Sequence, residues 1–278
     1  MKITFLSDNK TEKAACIAEW GLSILVESKG HKMLLDVGSS EIFARNAKAL
    51  GIAMDDVEAV AISHGHFDHT EGMEAFVEVN KKGPVYIHKE AMDEDYAVMN
   101  DGSLDPMNDG IRWSAEFVDA IKDRLVLTEG VTKIFDNMTL VGNIPLLPEY
   151  PMTERFVRPD KNNPGEYVDD NMDHEQFLVV EEDEGIFILS GCSHKGVMSI
   201  IKHAENLFPG KKILGFIGGM HLYPLTKEAR KEIVDNICGL GLECVFPVHC
   251  TGIEAILMFK ERLGDKCIIA SAGDSYEC

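Results

Sequence analysis

The six residues His64-Gly65-His66-Phe67-Asp68-His69 gather three imidazoles and a carboxylate directly behind Val57 to Ile62, an apolar run that reads as a buried strand. Imidazole and carboxylate together suit Zn, Mn or Fe. If the backbone stays extended past Ile62, His64 and His66 point the same way and grip one ion, while Asp68 and His69 enter a helix start and face a second. The pattern therefore predicts two divalent metal ions, zinc first, with Mn or Fe as alternatives. Later segments add donors. His249 ends the strand-like run Glu243 to Val248 and stands before a helix, which is a ligand's position. His194 follows the run Ile186 to Leu189 and is the expected third imidazole of the first ion, with His174 as its rival. His221, behind Gly218-Gly219-Met220, is expected to touch substrate or to support the ligands. The chemistry implied is hydrolysis by a metal-bound hydroxide, with Asp68 both a ligand and the acceptor that orients the nucleophile.

The elements that must position these residues are legible in outline. Lys2 to Leu6, Ser23 to Glu27 and His31 to Asp36 read as strands, with Lys29-Gly30 turning the second into the third. Ile42 to Leu50 has helical spacing, as does Thr70 to Val79. From Lys89 to about Ser114 the chain turns acidic, Met-rich and aperiodic, which reads as an insertion. Asn143 to Asp173 is proline-rich and has no period, so a lid over the site is expected. Its cations Arg155, Arg158 and Lys161 are expected to hold an anionic group of the substrate. The second half alternates strands (Phe177 to Glu181, Ile186 to Leu189, Lys212 to Ile217, Glu243 to Val248, Cys267 to Ala270) with helices (Gly196 to Phe208, Thr226 to Cys238). Thr251-Gly252-Ile253-Glu254 reads as a capping box opening a helix that runs to Leu263. Two halves of this kind fit an αββα four-layer sandwich, a single domain over 1–278 with insertion and lid at about 89–173.

The His-x-His-x-Asp-His run resembles that of the metallo-β-lactamase superfamily. Gly21-Leu22-Ser23, Leu35-Asp36-Val37-Gly38, Gly142-Asn143-Ile144-Pro145, Ser190-Gly191-Cys192-Ser193-His194, Gly218-Gly219-Met220-His221-Leu222 and His249-Cys250-Thr251-Gly252 are similar to one branch of it. That branch comprises metal-dependent hydrolases similar to dihydropterin-ribofuranosyl-aminobenzene-phosphate synthase. The resemblance implies that Asp36 braces the metal loop without ligating, and that Cys192 stands where relatives carry a bridging aspartate. It also implies His249 as the last metal histidine and, since the superfamily's third histidine precedes the strand at Phe177, keeps His174 in play. A thiolate at Cys192 would favour Zn and would be sensitive to oxidation. A hydrolase is the expected enzyme, with a synthase-type transferase or a non-catalytic effector as alternatives.

Composition narrows the partners. A net charge of −20 repels nucleic-acid phosphates and acidic membranes, so a small-molecule substrate is expected and a nuclease is not. Seven cysteines without a Cys-x-x-Cys pair, and no signal-like or bilayer-length apolar stretch, lead to the expectation of free thiols and a cytoplasmic protein. A homodimer stays open.

Overall fold

The computed structural model describes residues 1–99 and 101–278; Asn100, inside the expected insertion, lies outside the described residues. In chain order the strands are β1 Lys2–Ser7, β2 Ser23–Ser28, β3 His31–Leu35, β4 Ala59–Ala61, β5 Val85–His88, β6 Tyr96–Ala97, β7 Leu125–Thr128 and β8 Val131–Phe135. They continue as β9 Met138–Val141, β10 Phe156–Pro159, β11 Tyr167–Asp170, β12 Phe177–Glu182, β13 Gly185–Ser190, β14 Ile213–Gly218, β15 Cys244–Pro247 and β16 Ser275–Glu277. The helices are α1 Ile42–Ala49, α2 Phe67–Thr70, α3 Met73–Val79, α4 Ala115–Ile121, α5 Val197–Leu207, α6 Lys227–Cys238 and α7 Ile253–Leu263.

Two sheets carry the fold among the described residues, one ordered β16-β1-β2-β3-β4-β5-β7 and one ordered β15-β14-β13-β12-β9-β8. Their inner faces meet in a shared core, where Ile3, Phe5, Ile24 and Met33 of the first pack with Leu178, Val180, Leu189 and Phe246 of the second. Phe43, Ala47, Met73 and Phe76 from α1 and α3 cover the outer face of the first sheet. Ile200, Ile201 and Ala204 of α5, with Val234, Ile237 and Phe259 of α6 and α7, cover the outer face of the second. Strands with a layer on both faces must be apolar on both, which is why β13 is buried along its whole length. This is the αββα order expected from the sequence. The β2–β3 hairpin closes at Lys29-Gly30, both at positive φ (48° and 89°), the backbone a two-residue hairpin needs.

Four expectations are corrected. The stretch expected to be a structureless lid contains β10 and β11, which pair with each other and with β6 of the insertion into a small three-stranded sheet. Cys267 to Ala270 forms only a single bridge, at Cys267 to Val245. The last strand is instead β16, which pairs with β1. The capping box at Thr251 does not cap: α7 starts after Gly252 (φ 79°) without a side-chain cap, and Thr251 Oγ1 accepts from Met220 N at 3.1 Å. The expected helix from Thr70 breaks into α2 and α3, and at the join Gly72 passes so close to the Val37 carbonyl that a Cβ would lie 2.0 Å from it.

Candidate metal centre

The carboxyl ends of five strands converge on one place. β3 leads to Asp36, β4 to the run Ser63–His69, β13 to Gly191–His194, β14 to His221 and β15 to His249. Open sheets with parallel strands bind ligands at such ends, where side chains from several strands meet without obstruction from the next connection. The turns there are strained. Asp36, Ser193, His221 and His249 adopt φ of 61°, 62°, 47° and 52°, left-handed backbone that costs a non-glycine residue about 1 to 3 kcal/mol and persists only where the surroundings over-determine it.

Four of the imidazoles, His64, His66, His69 and His249, are held by the far nitrogen. Asp36, fully buried, accepts Ser63 N on Oδ1 and both Ser63 Oγ and His69 Nδ1 on Oδ2, all at 2.7 Å. The single Ser63 hydroxyl proton is thus spent on Asp36, so the 2.9 Å contact to His64 Nδ1 requires the imidazole to donate. His66 Nε2 donates to Asp95 Oδ2 at 2.8 Å, and His249 Nδ1 to Asn9 Oδ1 at 2.9 Å. The nitrogens left over, Nε2 of His64, His69 and His249 and Nδ1 of His66, are lone pairs. His64 Nε2 and both nitrogens of His194 are buried without a partner, and His69 Nε2 and His249 Nε2 confront each other at 3.2 Å. Two lone pairs that close need a cation between them; a proton meets the need in the metal-free chain and a metal ion meets it better. The donor set therefore fits metal.

The structure groups His64, Cys192 and His194 within ligand distance of one another, with the His66 ring 4.6 Å from His64 and 4.7 Å from His194. A second group is His69, Cys192 and His249, beside Asp68, whose Oδ2 is 3.2 Å from His249 Nε2. Cys192 stands between the two groups. Glu175, buried, clamps the turn that presents His194 by accepting His194 N at 2.6 Å and Lys195 N at 2.8 Å. His174 points elsewhere: its Nδ1 accepts from Gly65 N at 3.2 Å, and it clusters with Asp95 and Asp170. With Nδ1 accepting, its proton sits on Nε2, so that cluster lacks a free imidazole lone pair.

Electrostatics separates the groups. Burial, then the neighbouring imidazoles, pushes His64 and His194 well below the usual range. Burial also works against His66, but Asp95 outweighs it and holds His66 above. Asp68 is drawn below its ordinary value despite burial, chiefly by His69 and His249. Cys192 is pushed far up by burial, while Cys250 is pulled well down by Cys192, His249 and His221 against burial.

Beside these groups opens a cavity of about 570 Å³ with aromatic walls, Trp20, Phe67, Phe156 and Tyr223, and with Asp109 and Glu154 on its rim. Among the described residues neither Lys nor Arg lines it. Arg155 and Arg158 are expected from the sequence to face the metals, and the structure instead pairs them with aspartates, with neither lining the cavity. Arg155 Nε donates to Asp169 at 2.8 Å, Arg158 faces Asp93 and Asp170, and Lys161 pairs with Asp93 at 2.7 Å. A chain with a surplus of carboxylates captures its cations locally. Asp36 hydrogen-bonds to Ser63 and His69 of the histidine-rich loop, and His221 lines the cavity. Asp95, Asn9, Glu154 and Cys250 escaped the sequence reading; the adjacency of Cys250 to His249 was the one available signal, since the other three lie far along the chain from what they hold.

Residues 21–189 match the family described as the metallo-beta-lactamase superfamily. The chain is 29% identical over 253 residues, 88% of it and 85% of the relative, to the 7,8-dihydropterin-6-methyl-4-(beta-D-ribofuranosyl)-aminobenzene-5'-phosphate synthase of Methanocaldococcus jannaschii. It is 29% identical over 262 residues to an uncharacterized protein of the same organism, covering 93% of this chain and 94% of that one. Among solved structures, that of Tm1679, a metal-dependent hydrolase of the beta-lactamase superfamily, superposes with a TM-score of 0.83 at 32% identity, covering 100% of this chain and 99% of the other.

Proposed function

The chain belongs to the metallo-beta-lactamase superfamily, and from that premise we propose that it is a metal-dependent hydrolase with a site for two divalent ions. The observation that carries this reading is the set of four buried imidazoles, His64, His66, His69 and His249, whose far nitrogens are occupied, which leaves lone pairs in two donor groups that share Cys192. In this reading His64, His66 and His194 hold one ion, Asp68, His69 and His249 hold the other, and Cys192 lies between them. When bound, the ions supply Lewis acidity, which ionises water near neutral pH and polarises the bond to be cut. Asp68, kept ionised by His69 and His249, lines the cavity and orients the attacking water by accepting its hydrogen bond. The aromatic walls exclude bulk water and pack the part of the substrate that does not react. With neither Lys nor Arg on those walls and His221 tied to Glu154, that part is best matched by an apolar or aromatic group without negative charge, so any anionic group is the one that reaches the ions.

A second reading follows from the similarity to a named synthase: the same ions would activate a nucleophile other than water. Turnover of phosphodiesters, lactones and thioesters by zinc- or manganese-loaded protein, run in ¹⁸O-labelled water, separates the two. Hydrolysis is expected to place label in the product and to be lost in His249→Ala and His64→Ala. Loaded protein that binds both ions and cleaves none of the three classes overturns the hydrolase reading.

A further inference from the structure

A third cluster of donors lines the cavity beside His194, and the proposed pair of ions leaves most of it unused. Cys192, His221 and Cys250 each place one donor atom within 4.8 Å of the others, and the two sulfurs are 3.2 Å apart. His221 is only 5% exposed; its Nε2 is tied to Glu154 Oε2 at 2.7 Å, while its Nδ1 is buried without a hydrogen-bond partner. A carboxylate on the far nitrogen is the arrangement that fixes the orientation and tautomer of a metal-binding histidine. The backbone is shaped to the same end. His221 sits on left-handed backbone, and a Cβ on Gly219 would lie 2.6 Å from Cys250 Sγ and 2.4 Å from the Gly191 carbonyl oxygen. Only glycine at 219 lets the Cys250 sulfur reach Cys192.

We propose that Cys192, His221 and Cys250 form a further cation seat, selective for a thiophilic ion such as zinc or cadmium. Two sulfurs and an imidazole are a soft donor set, unlike the nitrogen- and oxygen-rich groups around His64 and His69. Binding forms two S–metal bonds and one N–metal bond; protons held by the cysteines and by His221 Nδ1 leave to solvent, and no electrons are transferred. The seat touches the proposed dinuclear reading through Cys192 alone. It would give a thiophilic ion a place at the cavity wall.

Cadmium tests this with the full-length protein stripped by chelation, because thiolate-to-cadmium charge transfer absorbs in the ultraviolet and counts the sulfurs bound. The wild type is expected to take up one more cadmium per chain than His221→Ala or Cys250→Ser. Cys250→Ser should also lose about half the charge-transfer band. Glu154→Gln, which leaves all three donors in place, should weaken this ion about tenfold. Equal cadmium counts and equal absorbance in wild type, His221→Ala and Cys250→Ser, all folded by circular dichroism, overturn the seat. His64→Ala separates this outcome from failure of the pair: a sulfur-bound cadmium that survives while no other ion binds even to wild type sinks the dinuclear reading and leaves the seat standing.

Discussion

Replacing Asp36 by Asn changes one atom and should reverse two imidazoles. The backbone gives no reason for a loss, because φ of 61° is one that Asn tolerates as well as Asp. The carboxylate, however, accepts three hydrogen bonds, from Ser63 N, Ser63 Oγ and His69 Nδ1. If the amide nitrogen takes the Oδ1 position it meets Ser63 N–H donor to donor, and a buried unsatisfied donor costs about 1 to 3 kcal/mol. In the Oδ2 position it costs the fold less, since the Ser63 hydroxyl can rotate and His69 can change tautomer. The amide then donates to His69 Nδ1, driving that proton to Nε2, where Cys192 and His249 wait at 3.2 Å. It also donates to Ser63 Oγ, whose own proton swings to His64 Nδ1 and forces the His64 proton onto Nε2 as well. Both metal-facing lone pairs are lost. Loss of such a supporting contact typically weakens metal binding 10- to 100-fold, or about 1.4 to 2.8 kcal/mol per ion. Zinc competition with a chromophoric chelator reads the affinity, and ¹⁵N shifts of the imidazoles read the tautomers. Ser63→Ala is the internal control, because it cuts the relay to His64 and leaves His69 on Asp36, so one ion alone should weaken. An Asp36→Asn protein that binds both ions within threefold of wild type, with the proton still on His69 Nδ1, refutes the argument.

Gly191→Ala should lower stability by about 1 to 3 kcal/mol and disturb the same brace, because its Cβ would lie 2.0 Å from Ser63 Oγ and 3.1 Å from Asp36 Oδ2; chemical denaturation of the metal-free protein measures it. Asp109 is held at about 6 against 3.8, first by burial and then by Asp95 and Asp68 over the opposing pull of His66. Between those values the folded metal-free chain binds more protons than the unfolded one, so stability falls as pH rises through that window. Asp109→Asn should therefore stabilise at pH 7.5 by on the order of 1 to 2 kcal/mol, discounted for partial solvent access, and give no gain at pH 4; equal effects at both values contradict the assignment. Stripping metal should lower the thermal midpoint, since an ion present at 100 times its dissociation constant contributes about 2.7 kcal/mol; a midpoint unmoved by chelation and by added zinc argues against metal at the buried imidazoles. Asp95→Asn should lower affinity for one ion by about tenfold through His66 and spare the other, as seen by the same chelator competition.

The sequence by itself determined the things that depend on short stretches of chain. Three imidazoles and a carboxylate in six residues announced metal chemistry, because no tertiary arrangement is needed to bring neighbours together. The layers were equally legible: both-face apolar strands and one-face apolar helices have few ways to bury themselves other than αββα packing. Tertiary structure alone decided which distant residues serve that cluster. His194 and His174 are equally good histidines in the sequence, and only the Glu175 clamp on one and the Gly65 N–H on the other separate them. Asp95 reaches His66 from an insertion without periodicity, and Asn9 reaches His249 across 240 residues. The cations of the expected lid went the other way. A charge reads the same in sequence whether it faces a cavity or a neighbouring aspartate, and β10 and β11, four-residue strands without hydrophobic alternation, set Arg155 beside Asp169. Cys250 is the sharpest case: its meaning depends on a sulfur 58 residues away, on an absent side chain at Gly219 and on a histidine held by Glu154, three facts that only the folded chain puts in one place.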